Sequence, residues 1–261
     1  MSRQGKVWLV GAGPGDVGLF TIKGKDILEK AEVVVYDSLV GDGVLTMVPE
    51  TAEKINVGKR AGHHTMKQEN INKVLLEKAQ EGKRVVRLKG GDPFLFGRGG
   101  EELELLCEHK IPYEVVPGVT SCIAVPAYNG IPVTHRDFCS SVHVITGHKR
   151  AGERYNIDFE ALVRTKGTLV FLMGITAMED ICKGLLEAGP KRVAMRIMRR
   201  HSGHIITSME VASYRPFYRP YYVAFYGMHP SRCLSLRRRP SQAPTRIIRT
   251  SNPAACHLGT G

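Results

Sequence analysis

The stretch RLKGGDPFLFGRGG, residues 87–100, constrains the fold more than any other part of this chain. It follows the apolar pair Val85-Val86 and precedes the helical pattern EELELLCEHK, so it is a glycine-rich turn from a strand into a helix. Such turns bind ligands in α/β proteins, because glycines let a small molecule approach bare backbone and the helix start offers unpaired N–H groups. Within the turn, Arg98 is a donor fork suited to a carboxylate or phosphate. The alternative is a turn whose glycines only satisfy backbone geometry.

A second glycine turn lies near the start of the chain. Residues 6–10, KVWLV, predict a buried strand that runs into the turn GAGPGD, and residues 32–37, EVVVYD, predict the next strand after a helix. This βαβ unit is compatible with a dinucleotide site, with Asp37 ending the second strand. Two residues weaken that alternative. Asp16 replaces the last glycine of the G-x-G-x-x-G pattern, and Pro14 lacks the N–H that a pyrophosphate would bind.

The alternation of strands and helices restarts near Pro117, with SVHVIT and TLVFLM as the strands of a second unit. The fold class predicted from this pattern is α/β, with two domains. We expect an N-terminal domain over residues 1–117, a C-terminal domain over residues 118–231 and a basic tail over residues 232–261.

The formal charge of +12 is confined to the end of the chain. Residues 1–189 carry 24 Lys and Arg against 24 Asp and Glu, whereas residues 190–261 carry 13 against 1. An arginine-rich segment without a binding fold supplies only non-specific electrostatics, so we expect no specific nucleic acid partner, with a basic nucleic-acid-binding tail as the alternative. Residues 232–261 are predicted to be disordered or poorly packed, because they offer little apolar surface to bury.

The six cysteines lie far apart without a C-x-x-C pair, and the adjacent histidines His63 and His64 diverge on most backbones. Neither a metal site nor a disulfide framework is indicated. No apolar run approaches the length of a membrane span, and the chain begins with a strand and a glycine turn instead of a signal peptide. We expect a cytoplasmic protein without a membrane partner.

Seven segments occur in the order seen in one family: VWLVGAGPGD, VVVYDSLV, VGKRAGHH, VRLKGGDPFLFGRGGEE, YEVVPGVTS, GIPVTHRD and TLVFLMG. Over about residues 5–189 the chain resembles the tetrapyrrole methylases. The resemblance implies two α/β domains with S-adenosyl-L-methionine in the cleft between them, commonly in a homodimer. After residue 189 the family's motifs are missing, so we expect the C-terminal domain to be incomplete there.

The resemblance also implies a function. The motifs are most similar to those of family members that transfer methyl groups from S-adenosyl-L-methionine to carbon atoms of uroporphyrinogen III, giving precorrin-2 by way of precorrin-1 for sirohaem and cobalamin. Alternatives are another precorrin methylase, or a nucleotide-binding protein with a nucleic-acid-binding tail. The substrate would be a small tetrapyrrole, and the implied enzyme uses no metal.

By the same resemblance, Asp37 is the expected proton acceptor and Lys59 the expected proton donor, and Arg98 joins them as a catalytic residue. Arginines suit a substrate that carries many carboxylates, and the candidates are Arg60, Arg98 and Arg136. The expected cofactor contacts are Pro14, Gly90, Gly91, Asp92, Leu95, Thr120, Ser121 and Met173.

Overall fold

The computed structural model describes residues 4–58, 66–137, 139–148 and 157–189, together with the backbone of three later strands. The chain divides into two compact units. The first contains the residues up to Val133 with Arg200–Ile206, and the second contains Thr134–Arg199 with the residues from Thr207 onward.

The first unit is built on a parallel sheet. Its strands are β1 (Lys6–Gly11), β2 (Val33–Tyr36), β3 (Glu53–Asn56), β4 (Arg84–Lys89) and β5 (Tyr113–Val116). They lie in the order β3-β2-β4-β1-β5, and every pair is parallel. The helices are α1 (Ile22–Leu28), α2 (Asp42–Leu45), α3 (Gln68–Gln80), α4 (Gly99–Glu108) and α5 (Ser121–Tyr128), with a 3₁₀ turn at Val17–Leu19.

Strands β1 and β2 are buried on both faces, which explains why they are nearly continuous apolar runs. In β1, Trp8 and Val10 pack in one core cluster with Leu28 of α1. Val7 and Leu9 belong to a second cluster, which contains residues of α3 and α4. Alternate residues of one strand therefore pack against helices on opposite faces.

Helix α5 lies with the first unit, whereas the sequence analysis assigned residues 118–133 to the second domain. Hydrogen bonds among the described residues join this segment to the rest of the first unit. The Gly118 N–H donates to Asp92 Oδ2 at 3.1 Å, and the Tyr128 hydroxyl donates to Asp16 Oδ2 at 2.9 Å.

A second sheet is built mainly from residues of the second unit. The elements of the chain after Val133 are β6 (Val142–Thr146), α6 (Phe159–Arg164), β7 (Thr168–Leu172), a 3₁₀ turn (Ile175–Ala177), α7 (Met178–Ala188), β8 (Val193–His201), β9 (His204–Ala212) and β10 (Tyr222–Tyr226). The strand order is β6-β7-β10-β8-β9. Leu169 and Phe171 of β7 pack with Ile181 and Leu185 of α7 in its core. The predicted α/β class is confirmed.

The C-terminal domain was expected to be incomplete after residue 189; this stays a prediction, and the structure has three backbone strands in that region. β10 pairs in parallel with β7 on one side and with β8 on the other. The sequence YVAFY is rich in β-branched and aromatic residues, and strand pairing through the backbone does not require the family's motif at this position. The predicted tail, residues 232–261, lies outside the described residues.

Within the part of the chain that the structure describes, no helix is both long enough and apolar enough to cross a bilayer.

Candidate functional site

Three backbone segments meet at the carboxyl edge of the first sheet. Gly11 ends β1, Gly91 follows β4 and Gly118 follows β5. A Cβ on Gly11 would lie 2.6 Å from the Gly91 carbonyl oxygen, and a Cβ on Gly118 would collide with the same oxygen. Gly11 and Gly118 are therefore required by the close approach of these segments.

Gly91 has a different reason to be glycine. Its φ of +69° is in the left-handed region, and a Cβ built on it would meet no atom within 4 Å. Its backbone is fixed by two hydrogen bonds with Gly13, from Gly13 N to Gly91 O at 3.2 Å and from Gly91 N to Gly13 O at 2.8 Å. A rigid backbone with open space beside it is what a ligand approaching the main chain requires. Gly90 differs, because a Cβ there would collide with Leu39.

The Asp92 side chain ties the loop after β4 together. Its Oδ1 accepts hydrogen bonds from the N–H groups of Phe94 and Leu95 at 2.8 and 3.1 Å, and its Oδ2 accepts from Gly118 at 3.1 Å. A carboxylate has about four acceptor positions, and the described residues use three of those on Asp92. Asp92 thus joins the segment after β4 to the segment after β5.

The remaining expected cofactor residues of the first unit lie at the same edge of the sheet. Pro14 is buried in the turn after β1, and Leu95 is half-buried in the loop after β4. Thr120 is the N-cap of α5, and its hydroxyl accepts from the Cys122 N–H at 3.4 Å. Ser121 is the first residue of that helix. The structure therefore brings together the seven expected residues that lie in this unit.

Arg98 is the N-cap of α4 and has a left-handed backbone with φ of 58°. Its guanidinium pairs with the Glu101 carboxylate through both Nε, at 2.8 Å, and Nη2. This pairing raises the pKa of Arg98. The side chain is 57% exposed, so a carboxylate from a ligand would compete with Glu101 in contact with solvent.

A cluster of buried charges lies beneath this edge, and the sequence analysis missed it. Arg87 and Lys89 of β4 both bind Glu102 of α4. Arg87 Nε lies 3.0 Å from Glu102 Oε1, and Lys89 Nζ lies 2.8 Å from each Glu102 oxygen. Burial lowers the pKa of Lys89, and the charge of Arg87 lowers it further, while Glu102 acts in the opposite direction. The sequence did contain a signal for this cluster. Arg87 and Lys89 alternate with Val86 and Leu88 on a strand that is buried on both faces, and two buried cations require a buried anion.

The expected proton acceptor, Asp37, borders this cluster. Its Oδ2 lies 3.4 Å from Arg87 Nη2, and its Oδ1 accepts from the Leu39 N–H at 2.9 Å. The Asp37 side chain is 22% exposed. The expected proton donor Lys59 and the expected substrate residue Arg60 lie outside the described residues.

The second unit holds the other expected residues. Met173 follows β7 with φ of 55° and is 41% exposed, so its side chain is available for contact. Next to Met173, the segments after β6 and β7 lie so close together that a Cβ on Gly147 would collide with Gly174. Arg136 is exposed in a turn before β6.

Among the described residues, no group of three or more His, Cys, Asp or Glu side chains is placed to hold a metal ion.

Parallel sheets with glycine-lined segments at their carboxyl edges define a ligand-binding α/β protein. Comparison with protein families identifies which one. The family described as Tetrapyrrole (Corrin/Porphyrin) Methylases matches residues 6–202. The chain belongs to this family.

Two curated relatives show how much of a longer protein the chain matches. It is 60% identical over 190 residues to the porphyrin biosynthesis protein HemD of Ruminiclostridium josui, covering 73% of this chain and 38% of that protein. It is 54% identical over 189 residues to the siroheme synthase of Escherichia fergusonii, covering 72% of this chain and 41% of that protein. The chain spans about two fifths of the length of these relatives.

Solved structures agree with the family. The uroporphyrin-III C-methyl transferase of Thermus thermophilus, complexed with S-adenyl homocysteine, is 45% identical with a TM-score of 0.61, covering 71% of this chain and 78% of that one. The cobalt precorrin-4 methyltransferase CbiF is 31% identical with a TM-score of 0.64, covering 72% of this chain and 77% of that one.

Proposed function

We propose that this chain transfers methyl groups from S-adenosyl-L-methionine to carbon atoms of uroporphyrinogen III, giving precorrin-2 by way of precorrin-1. The observation that carries the proposal is the 45% identity, over 71% of the chain, to a uroporphyrin-III C-methyl transferase bound to S-adenyl homocysteine. The relatives named for porphyrin biosynthesis and siroheme synthesis favour the same substrate class. A homodimer is also proposed, and it rests on the family resemblance alone; the cytoplasmic location expected from the sequence stays a prediction.

The residues at the first sheet's carboxyl edge fit a nucleoside cofactor. The open space beside Gly91 admits a ligand to the backbone, and the Asp92 carboxylate suits a hydroxyl or amino group. We assign the cofactor to Pro14, Gly90, Gly91, Asp92, Leu95, Thr120 and Ser121 in the first unit and to Met173 in the second. When bound, S-adenosyl-L-methionine supplies an electrophilic methyl group on its sulfonium.

The protein's own work is to position the substrate and manage charge. Arg60, Arg98 and Arg136 are proposed to bind substrate carboxylates. The pair in which two Arg98 nitrogens bind the Glu101 carboxylate supports this role, because a substrate carboxylate would use the same bidentate geometry. Asp37 is proposed to accept the proton that leaves the methylated ring, and Lys59 to donate one.

The test uses the full chain, uroporphyrinogen III and S-adenosyl-L-methionine labelled in its methyl group. We expect label in the tetrapyrrole and a mass increase of first one and then two methyl groups. A protein that binds the cofactor but leaves uroporphyrinogen III unlabelled would contradict the assigned substrate. Labelling of precorrin-2, supplied in place of uroporphyrinogen III, would favour the second candidate, a sister precorrin methylase, for which the likeness to CbiF is the supporting observation.

A further inference from the structure

Arg87 is a buried arginine with a fixed orientation. It is 4% exposed, and three groups besides Asp37 hold its guanidinium. Nε donates to Glu102 Oε1 at 3.0 Å, and Nη1 donates to the carbonyl oxygens of Leu88 and Val35 at 3.1 and 3.4 Å. Since the guanidinium is planar, these bonds also fix the direction of Nη2, the nitrogen that donates to Asp37.

Glu102, which binds Arg87, is also fixed in position by other residues. Glu102 is fully buried, and its two oxygens are bound by Lys89 Nζ at 2.8 Å each. Gln68 of α3 also donates to Glu102 Oε1, at 3.3 Å. Strand β4 and helices α3 and α4 therefore all contribute to the position of Arg87.

The charges of this cluster balance only when Asp37 is included. Arg87 and Lys89 provide two cations, and Glu102 provides one buried carboxylate. Asp37, at the border of the cluster, provides the second carboxylate. Buried ion pairs contribute little net stability against apolar packing, whereas a buried charge without its partner is costly. A cluster that leaves one carboxylate partly exposed is consistent with a role in placing that carboxylate.

We propose that Arg87 is a positioning residue for methyl transfer: it holds the Asp37 carboxylate, through Oδ2, in the orientation in which Asp37 accepts the substrate proton. The Leu39 N–H fixes the other oxygen, so the carboxylate is held at both atoms. Glu102 and Lys89 act indirectly, because Glu102 binds Arg87 and Lys89 binds Glu102. This inference rests on the proposed function, because it takes Asp37 as the proton acceptor.

The test compares Arg87→Met, Asp37→Asn and the double variant with a matched control. Arg84→Met makes the same chemical change at the amino end of the same strand, away from Asp37. We expect Arg87→Met to lower kcat by about 10-fold or more, since misplacing a general base removes part of its contribution. Cofactor affinity should change by less than about 2-fold, and Arg87→Lys should recover part of kcat. In the Asp37→Asn background Arg87→Met should cost less than about 2-fold, because the group it positions is gone.

Equal losses from Arg87→Met with and without Asp37 would overturn the proposal, and so would an unchanged kcat in Arg87→Met. If Arg87→Met does not fold, Glu102→Gln removes the negative charge that anchors Arg87 with little change in shape and should show the same dependence on Asp37.

A second readout does not need activity. The carboxyl carbon resonance of Asp37, assigned by its loss in Asp37→Asn, should shift in Arg87→Lys and stay in place in Arg84→Lys. An unmoved resonance in Arg87→Lys overturns the inference. Absence of any methyl transfer by the unaltered chain would instead contradict the proposed function, while the resonance still decides whether Arg87 holds Asp37.

Discussion

Gly91 and Gly130 have the same backbone conformation, with φ of +69° and +65°, and a Cβ on either would meet no atom within 4 Å. The two glycines lie in different loops of the first unit. Gly91 lies between β4 and α4 at the candidate site, whereas Gly130 follows the end of α5. A larger residue would therefore strain the backbone equally at both positions, and only Gly91 lies at the candidate site.

Gly91→Val should abolish or strongly weaken S-adenosyl-L-methionine binding, because a branched side chain would occupy the space beside the backbone and resist a positive φ. Gly130→Val carries the same strain and should lose stability without losing cofactor affinity. Calorimetric titration of both folded variants gives the comparison. Wild-type affinity in folded Gly91→Val would show that the turn is structural only.

Arg98→Lys should keep the positive charge but lose the bidentate hydrogen bonding to a carboxylate. We expect substrate turnover to fall by about 10-fold or more, as for loss of a charge-assisted hydrogen bond, with little change in cofactor binding. Arg164→Lys is the matched control, since Arg164 forms an exposed pair with Glu160 in α6. Unchanged methylation kinetics in Arg98→Lys would remove Arg98 from the site.

Much of the fold could be predicted because several strands are short apolar runs next to glycine turns. The sequence predicted a strand at KVWLV, residues 6–10, and β1 covers Lys6–Gly11. The strands β8, β9 and β10 were not predicted, because the expectation for residues after 189 rested on family motifs that are absent there. Backbone pairing needs only strand-forming residues, which YVAFY supplies.

The expected site residues stay a prediction, and the structure shows differences between them that the sequence does not reveal. Glycines in one turn look alike in sequence, yet Gly90 is required by packing against Leu39 and Gly91 by a positive φ. The pairing of Arg98 with Glu101 could have been predicted from their spacing at the start of a helix. The pairing of Arg87 with Asp37 could not have been predicted. Arg87 lies in β4 and Asp37 follows β2, and the sequence does not show that these two strands are neighbours in the sheet.

Glu114 on β5 links the first unit's stability to pH. Lys23 and Lys6 bind its carboxylate at 2.6 and 2.8 Å, and hydrogen bonds from Lys23 and then Lys6 lower the pKa of Glu114 from 4.5 to about 2. A carboxyl with a lowered folded pKa contributes stability that is fully present above its unfolded pKa and is lost as the pH falls through the folded value.

Glu114→Gln should therefore lower the free energy of unfolding at pH 7 by about 1 kcal/mol, a value kept small because the paired side chains are partly exposed. The difference from the unaltered chain should shrink as the pH falls from 4.5 towards 2. Thermal unfolding across this range provides the measurement. Glu29→Gln, which removes an exposed pair with Lys25, is the control and should change little at any pH. A pH-independent difference for Glu114→Gln would show that the ion pair contributes no stability.

The last prediction concerns the strands after residue 189. β10 lies between β7 and β8, so a chain ending at residue 189 would leave β7 with an unpaired edge next to the core of Leu169 and Phe171. We expect that variant to aggregate or to unfold at a lower temperature, because exposed edges template association. A chain ending at residue 231 keeps β8, β9 and β10, and it should match the full chain, since residues 232–261 offer little apolar surface to bury. Light scattering and thermal unfolding of both truncations decide the matter: equal stability of the chain ending at residue 189 would mean that β10 contributes nothing to the sheet, and destabilisation of the chain ending at residue 231 would mean that the basic segment packs.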